Sequence, residues 1–124
     1  MQPLVLDATM ATAPSEQVRA QLAERISSGD LPGGSKLPTV RGLAEQLGLA
    51  ANTVAKAYRE LEHDGFIETR GRAGTFATAQ GDVAQREAQD AARSYADRIR
   101  RLGVPTDQAR AYVAAALDDL DDRA

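Results

Sequence analysis

A chain of 124 residues, with 15 Lys and Arg against 18 Asp and Glu, has room for one small domain and an appendage at a net charge of −3. With no Cys and a single His, it has no disulfide scaffold, thiolate site or imidazole cluster, so neither a metal nor a cofactor is expected. Ser15, Ser27, Ser28, Ser35 and Ser94 have no His-Asp pattern near them, and no catalytic residue is assigned. No apolar run approaches the roughly 20 residues that span a bilayer, and the opening MQPLVLDATM lacks the regions of an export signal. A cytoplasmic protein without a membrane partner is expected.

Leu4, Val5 and Leu6 form a short apolar run with the length of an edge strand. Pro14, Ser15 and Glu16 then open a helix whose Val18, Leu22 and Ile26 lie four apart and share one face. Residues 28–35, SGDLPGGS, read as a turn-forming linker, with Leu31 and Leu37 as its anchors.

Two amphipathic segments follow. Val40, Leu43, Ala44 and Leu47 fall at i, i+3, i+4 and i+7, and Val54, Ala57, Tyr58 and Leu61 repeat the spacing, so each helix buries one stripe. Between them Gly48 supplies the positive φ that ends a helix, and Leu49 plugs the corner. This is a helix-turn-helix signal. When Val54 and Leu61 point inward, Asn52, Thr53, Lys56 and Arg59 point outward near the start of the second helix, the end that enters a DNA major groove.

Residues 66–69 and 75–78, FIET and TFAT, have strand-like content around Arg70-Gly71-Arg72-Ala73-Gly74. A wing is expected. Its glycines let the backbone approach a phosphate, and Arg70 and Arg72 suit a narrow minor groove; without DNA the loop should be mobile. Phe66 and Phe76 read as packing beneath it. Neither half of the chain is net positive, so DNA affinity has to rest on a local stripe: Lys36, Arg41, Lys56, Arg59, Arg70 and Arg72, with Glu60, Glu62 and Asp64 turned away.

Beyond Gln80 the composition shifts to Ala, Arg and Asp. Asp82 and Gln85 form a capped start, after which Ala84, Ala88, Ala91, Tyr95, Ile99 and Leu102 trace one face of a long helix stopped by Gly103 and Pro105. Thr106 caps a last helix with a stripe of Ala109, Tyr112, Val113, Ala116, Leu117 and Leu120. Asp118, Asp119, Asp121 and Asp122 oppose its dipole, and a frayed end is expected. Two such helices cannot close a core alone. The expected solution is a homodimer through Ala88, Ala91, Tyr95, Ile99, Leu102, Tyr112, Val113, Ala116, Leu117 and Leu120. The expected fold class is therefore mainly α with a small β-wing: an N-terminal winged helix-turn-helix over residues 1–79, then a two-helix C-terminal dimerisation region over 80–124.

Residues 14–79 resemble the winged helix-turn-helix domain of the GntR family of bacterial transcriptional regulators, through PSEQV and the run GDLPGGSKLPTVRGLAEQLGLAANTVAKAYRELEHDGFIETRGRAGTFA. The short two-helix end is similar to the YtrA-type subfamily. The resemblance implies a sequence-specific regulator of transcription, a repressor by default, acting as a homodimer on double-stranded DNA and often controlling a neighbouring transporter operon. It also implies DNA contacts at Arg41, Thr53, Arg70, Arg72 and Gly74. The chain departs from the family where Ala50-Ala51 replaces the usual Ser-Arg and Ala55 replaces a frequent arginine, which removes a helix cap and two basic contacts. A different or weaker operator is expected. The rival reading is a winged helix that binds protein without specific DNA recognition. A small-molecule effector would have to act at the paired helices or the hinge near Gln80-Gly81, and no residue names one.

Overall fold

Pro14, whose fixed φ suits a first helical turn, opens α1 (Pro14–Ser28) in the computed structural model, which describes residues 1–123. Gly29 ends the helix in the left-handed region, and the Leu31 amide reaches back to the Arg25 carbonyl at 2.9 Å. Val18, Leu22 and Ile26 are at most 1% exposed. The next pair follows its apolar spacing. In α2 (Val40–Leu47) Leu43 and Ala44 are buried, and in α3 (Ala51–His63) Val54, Ala57, Tyr58 and Leu61 are buried. Gly48 takes φ 66° at the turn, while Leu49 packs against the core as expected. Both α1 and α2 pack on α3.

The wing consists of β1 (Ile67–Thr69) and β2 (Thr75–Ala77), antiparallel with Ile67 opposite Ala77 and Thr69 opposite Thr75. The sequence placed each strand one residue longer; Phe66 and Thr78 instead flank the sheet, joined from the Thr78 amide to the Phe66 carbonyl at 2.9 Å. A third stretch of backbone joins from outside. The Ala77 amide donates to the Ser35 carbonyl and the Leu37 amide to the Thr75 carbonyl, both at 2.8 Å, and Lys36 bridges to Phe76. The end of the supposed linker is thus a neighbour of β2. Three residues between a Gly-Gly turn and Pro38 are too few to show an alternating pattern.

The edge strand expected at Leu4, Val5 and Leu6 is absent, because side chains of α1 take the place of a partner strand. Gln17, Gln21 and Arg25 sit one helical turn apart. Gln21 accepts from the Val5 amide at 3.1 Å and donates to the Val5 carbonyl at 2.6 Å. Gln17 accepts from the Asp7 amide at 2.8 Å and donates to the carbonyls of Asp7 and Thr12. Arg25 donates to the carbonyls of Gln2 and Pro3. Leu4 is thereby pressed into the core at 6% exposure while Val5 faces outward.

The chain forms two compact units, Met1–Asp90 and Ala91–Ala124. Helix α4 (Val83–Leu102) begins in the first, with the reciprocal cap read from the sequence: the Gln85 amide donates to Asp82 Oδ1 at 2.8 Å and the Asp82 amide to Gln85 Oε1 at 2.9 Å. In the second unit, the Tyr95 hydroxyl donates to the Ala109 carbonyl at 2.9 Å, tying α4 to α5 (Thr106–Arg123). Two details of α5 differ from expectation. Thr106 is its first helical residue rather than its cap, and the helix holds through Arg123, which pairs with Asp119 at 3.0 Å. A cation in the last turn offsets the repulsion that the sequence predicted would fray it.

Tyr58 couples the core to the turn. Its hydroxyl donates to the Pro38 carbonyl at 2.7 Å, just ahead of α2, and burial pushes its pKa up to about 12. The raised value means that the folded state resists ionisation: its contribution to stability is intact below about pH 10 and is lost between about 10 and 12. Tyr58→Phe should therefore lower stability at neutral pH by about 1 kcal/mol yet flatten the alkaline loss. Denaturant titrations of both proteins at pH 8 and pH 11 check this, the gap between them narrowing at the higher pH.

Candidate nucleic-acid interface

The reading face exists because α3 is buried on its other side. Its apolar stripe is wholly internal, with Val54, Ala57 and Leu61 at 0% exposure. By helical geometry this turns Asn52, Lys56 and Arg59 to the surface and leaves Thr53 half-buried at the first turn. Asn52, Lys56 and Arg59 thus share an exposed flank of one helix, with Thr53 at its half-buried edge. Arg41 is exposed in the first turn of α2, where the Thr39 hydroxyl caps the helix by accepting from the Gly42 amide at 3.0 Å. That cap occupies one of the amide donors that a phosphate would otherwise use.

The two wing arginines are placed differently. Arg72 stands exposed on a single turn of 3-10 helix, Gly71–Ala73. Arg70 is half-buried: its Nε and Nη2 both donate to Glu68 Oε1, at 2.9 and 2.7 Å, and its guanidinium lies 4.4 Å from the Phe76 ring centroid. It braces the hairpin across its face. Phe66 packs against the core as read from the sequence, whereas Phe76 carries Arg70 on its ring face. Gly74 has φ 119°, and a Cβ on it would come within 2.9 Å of Lys36 Cε, so the stem of Lys36 lies against the wing at the one position left bare for it.

Arg19, on α1, was not singled out from the sequence. Its Nε donates to Glu16 Oε2 at 2.8 Å and it stands 4.0 Å from Glu60 on α3. The Arg19 hydrogen bond holds the Glu16 carboxyl below the usual range, with Lys56 adding to the effect, while Glu16 in turn raises the Arg19 guanidinium. One carboxylate beside the reading helix, Glu16, is thereby held by a cation outside it, and one on the helix, Glu60, stands near the same cation. The only sequence trace of this was the i, i+3 pair of Glu16 and Arg19.

In the second unit the apolar stripes remain open. Tyr95, Ile99, Val113 and Leu117 line a groove of about 690 Å³ between α4 and α5. Leu102, Tyr112, Leu117 and Leu120 are each more than half exposed, and Ala91 and Ala116 are exposed as well. Ala88 belongs to the first unit, where it lines a separate cavity with Ile26 and Pro32. Among the described residues no group of three or more His, Asp or Glu is placed to hold a metal, and no helix is long and apolar enough to cross a membrane.

A helix-turn-helix with an exposed polar second helix, followed by a two-stranded wing, defines a winged helix-turn-helix protein. Residues 14–77, more than half of the chain, match the profile of the bacterial regulatory proteins of the gntR family, and the chain belongs to that family. It is 46% identical over 104 residues to the HTH-type transcriptional regulator Rv1152 of Mycobacterium tuberculosis, an alignment covering 84% of this chain and 85% of that one. It is 46% identical over 72 residues to the HTH-type transcriptional repressor YtrA of Bacillus subtilis, covering 57% of this chain and 55% of the repressor. Among solved structures, YtrA from Sulfolobus acidocaldarius, a GntR-family transcription factor, superimposes with a TM-score of 0.56 at 25% identity, over 94% of this chain and 98% of that one. The DNA-binding domain of AraR in complex with operator ORE1 superimposes with a TM-score of 0.52 at 26% identity, over 60% of this chain and 90% of that one. The protein is a DNA-binding transcription regulator of the YtrA type, and these relatives are regulators rather than enzymes.

The missing cap read from the sequence is visible in the geometry. Ala50 is the N-cap of α3, in an extended conformation with no side-chain hydrogen bond. Ala50→Ser places a hydroxyl where it can accept from a first-turn amide, and should stabilise the protein by about 1 kcal/mol, which corresponds to roughly 4 °C in melting temperature. A calorimetric melt checks this; an unchanged transition would mean that those amides gain nothing from a cap.

Proposed function

We propose that this regulator is a repressor that binds a roughly palindromic operator as a homodimer. In this reading α3 enters the major groove, with Asn52 and Thr53 reading bases and Lys56 and Arg59 beside them. Arg41 holds phosphate, and Arg72, with the bare backbone at Gly74, meets the adjacent minor groove or backbone. Arg70 contributes through the wing it braces and through the part of its guanidinium left open. The observation that carries the reading is a helix wholly buried on one side and polar on the other, flanked by exposed arginines on α2 and on the wing. The operator complex of the AraR domain supports duplex DNA as the partner, and the repressor named YtrA supports the direction of control.

The pairing rests on the open stripes of the hairpin. Leu102, Tyr112, Leu117 and Leu120 are too exposed for an isolated pair of helices, and a second copy presents the same stripes around a two-fold axis. Ala91, Tyr95, Ile99, Val113 and Ala116 complete that surface, without Ala88, which lies in the first unit. Paired heads then require half-sites about 10 bp apart, or a multiple of that spacing. The protein acts in the cytoplasm, where it blocks polymerase at a promoter, and a neighbouring transporter operon is the first target to examine by footprinting.

Selection of duplexes from random DNA, followed by salt titration, tests the assignment. Arg72→Ala should weaken binding to every sequence and reduce the slope of log affinity against log salt by about 0.9. Asn52→Ala or Thr53→Ala should instead change base preference at particular positions, by about 1 to 3 kcal/mol of discrimination. A protein that sediments as a monomer and binds no duplex at low ionic strength would favour the protein-interaction reading and overturn this one.

A further inference from the structure

Gln89 lies on α4, outside every residue assigned to DNA or to pairing, yet its amide makes three hydrogen bonds to backbone. Its Oε1 accepts from the Gly33 amide at 2.5 Å, and its Nε2 donates to the Gln80 carbonyl at 2.8 Å and to the Gln85 carbonyl at 3.1 Å. Residues 56 positions apart in sequence are thus joined by one side chain. Gly33 is packed for this contact: a Cβ on it would lie 2.6 Å from Ala79 Cα and 2.8 Å from Gln89 Oε1.

Both anchors lead to the wing. Next to Gly33, the Gly34 amide donates to the carbonyl of Ala77, the last residue of β2, at 2.9 Å. From Gln80, the side-chain Nε2 donates to Thr78 Oγ1 at 2.8 Å, and that hydroxyl donates in turn to the carbonyls of Gly65 and Phe66, where the chain leaves α3. Polar side chains and main chain therefore run without a break from α4 to the base of the wing.

We propose that Gln89 is a positioning residue that locks the first turns of α4 to the base of the wing. The clamp sets which half-site separation the protein accepts, and this consequence rests on the paired DNA-binding reading given above. Gln89 touches no DNA in this scheme. Its loss leaves the affinity of a single head unchanged and relaxes the requirement on spacing.

The test compares wild type with Gln89→Ala, a helix-favouring change at a half-buried site, on duplexes recovered by the wild type from a random pool. Each duplex is used as selected, with about 5 bp, half a helical turn, inserted between the half-sites, and as an isolated half-site. The expected result is a penalty for insertion about tenfold smaller in the variant, the scale of one or two lost hydrogen bonds, with isolated half-site binding and melting temperature close to wild type. The same pair is compared by amide hydrogen exchange without DNA, where Gly33 and residues 78–85 should exchange about tenfold faster in the variant while core amides of α1 and α3 do not change. An unchanged insertion penalty, or unchanged exchange at Gly33, overturns the proposal. Should the wild type itself tolerate the insertion, the paired-operator reading fails, and the exchange comparison alone still decides whether Gln89 locks α4 to the wing.

Discussion

Everything that this protein presents to DNA depends on the burial of one face of α3. Val54, Ala57 and Leu61 are sealed between α1 and α2, and a helix held that tightly cannot rotate without exposing its stripe, at a cost of about 25 cal/mol for each Å² of apolar surface. The polar flank is therefore fixed as firmly as the core is. Tyr58 extends the constraint by tying α3 to the residue ahead of the α2 cap, so that Arg41 and Asn52 keep their relative placement. The wing enters through Ile67 and Ala77, both buried against the same core.

An acidic chain can still offer a basic surface when its carboxylates are engaged elsewhere. Glu16 is held by Arg19, Glu60 stands within reach of the same guanidinium, and Glu68 holds Arg70 against Phe76. The first two arrangements restrain negative charge beside α3. The third moves an arginine from the open surface into the scaffold of the wing, leaving Arg72 the more exposed of the pair. Local pairing, rather than the net charge of −3, decides what an approaching phosphate meets, because charges more than about 8 to 10 Å apart are screened at ordinary salt.

Side-chain amides take over the work of missing secondary structure at both edges of the first unit. Gln17 and Gln21 pair with the backbone of residues 5–7 as a neighbouring strand would, and Gln89 joins Gly33 to the chain leaving the wing. An amide carries both a donor and an acceptor at one end of a flexible stem, so it can satisfy a peptide group that no strand or helix reaches. The N-terminal segment and the first turns of α4, both outside residues 14–77 that match the family profile, are held in this way.

The helix-turn-helix, its polar flank, the wing and the capped start of α4 were legible in the sequence, because each is written in short-range terms: a period of 3.6, a glycine at a turn, or an Asp and a Gln three residues apart. The residues proposed to touch DNA came from the same periodicity and from the family resemblance. Tertiary structure alone decided that residues 35–37 pair with β2, that Leu4, Val5 and Leu6 run along α1 instead of forming a strand, and that Arg70 is braced while Arg72 is free of that brace. It also decided that the two compact units divide within α4, at Asp90 and Ala91. The first two outcomes depend on a polar side chain or backbone group meeting another far away in the chain, and the bracing of Arg70 depends on Glu68 and Phe76 meeting it across the folded hairpin; contacts of these kinds leave no period for a local pattern to reveal.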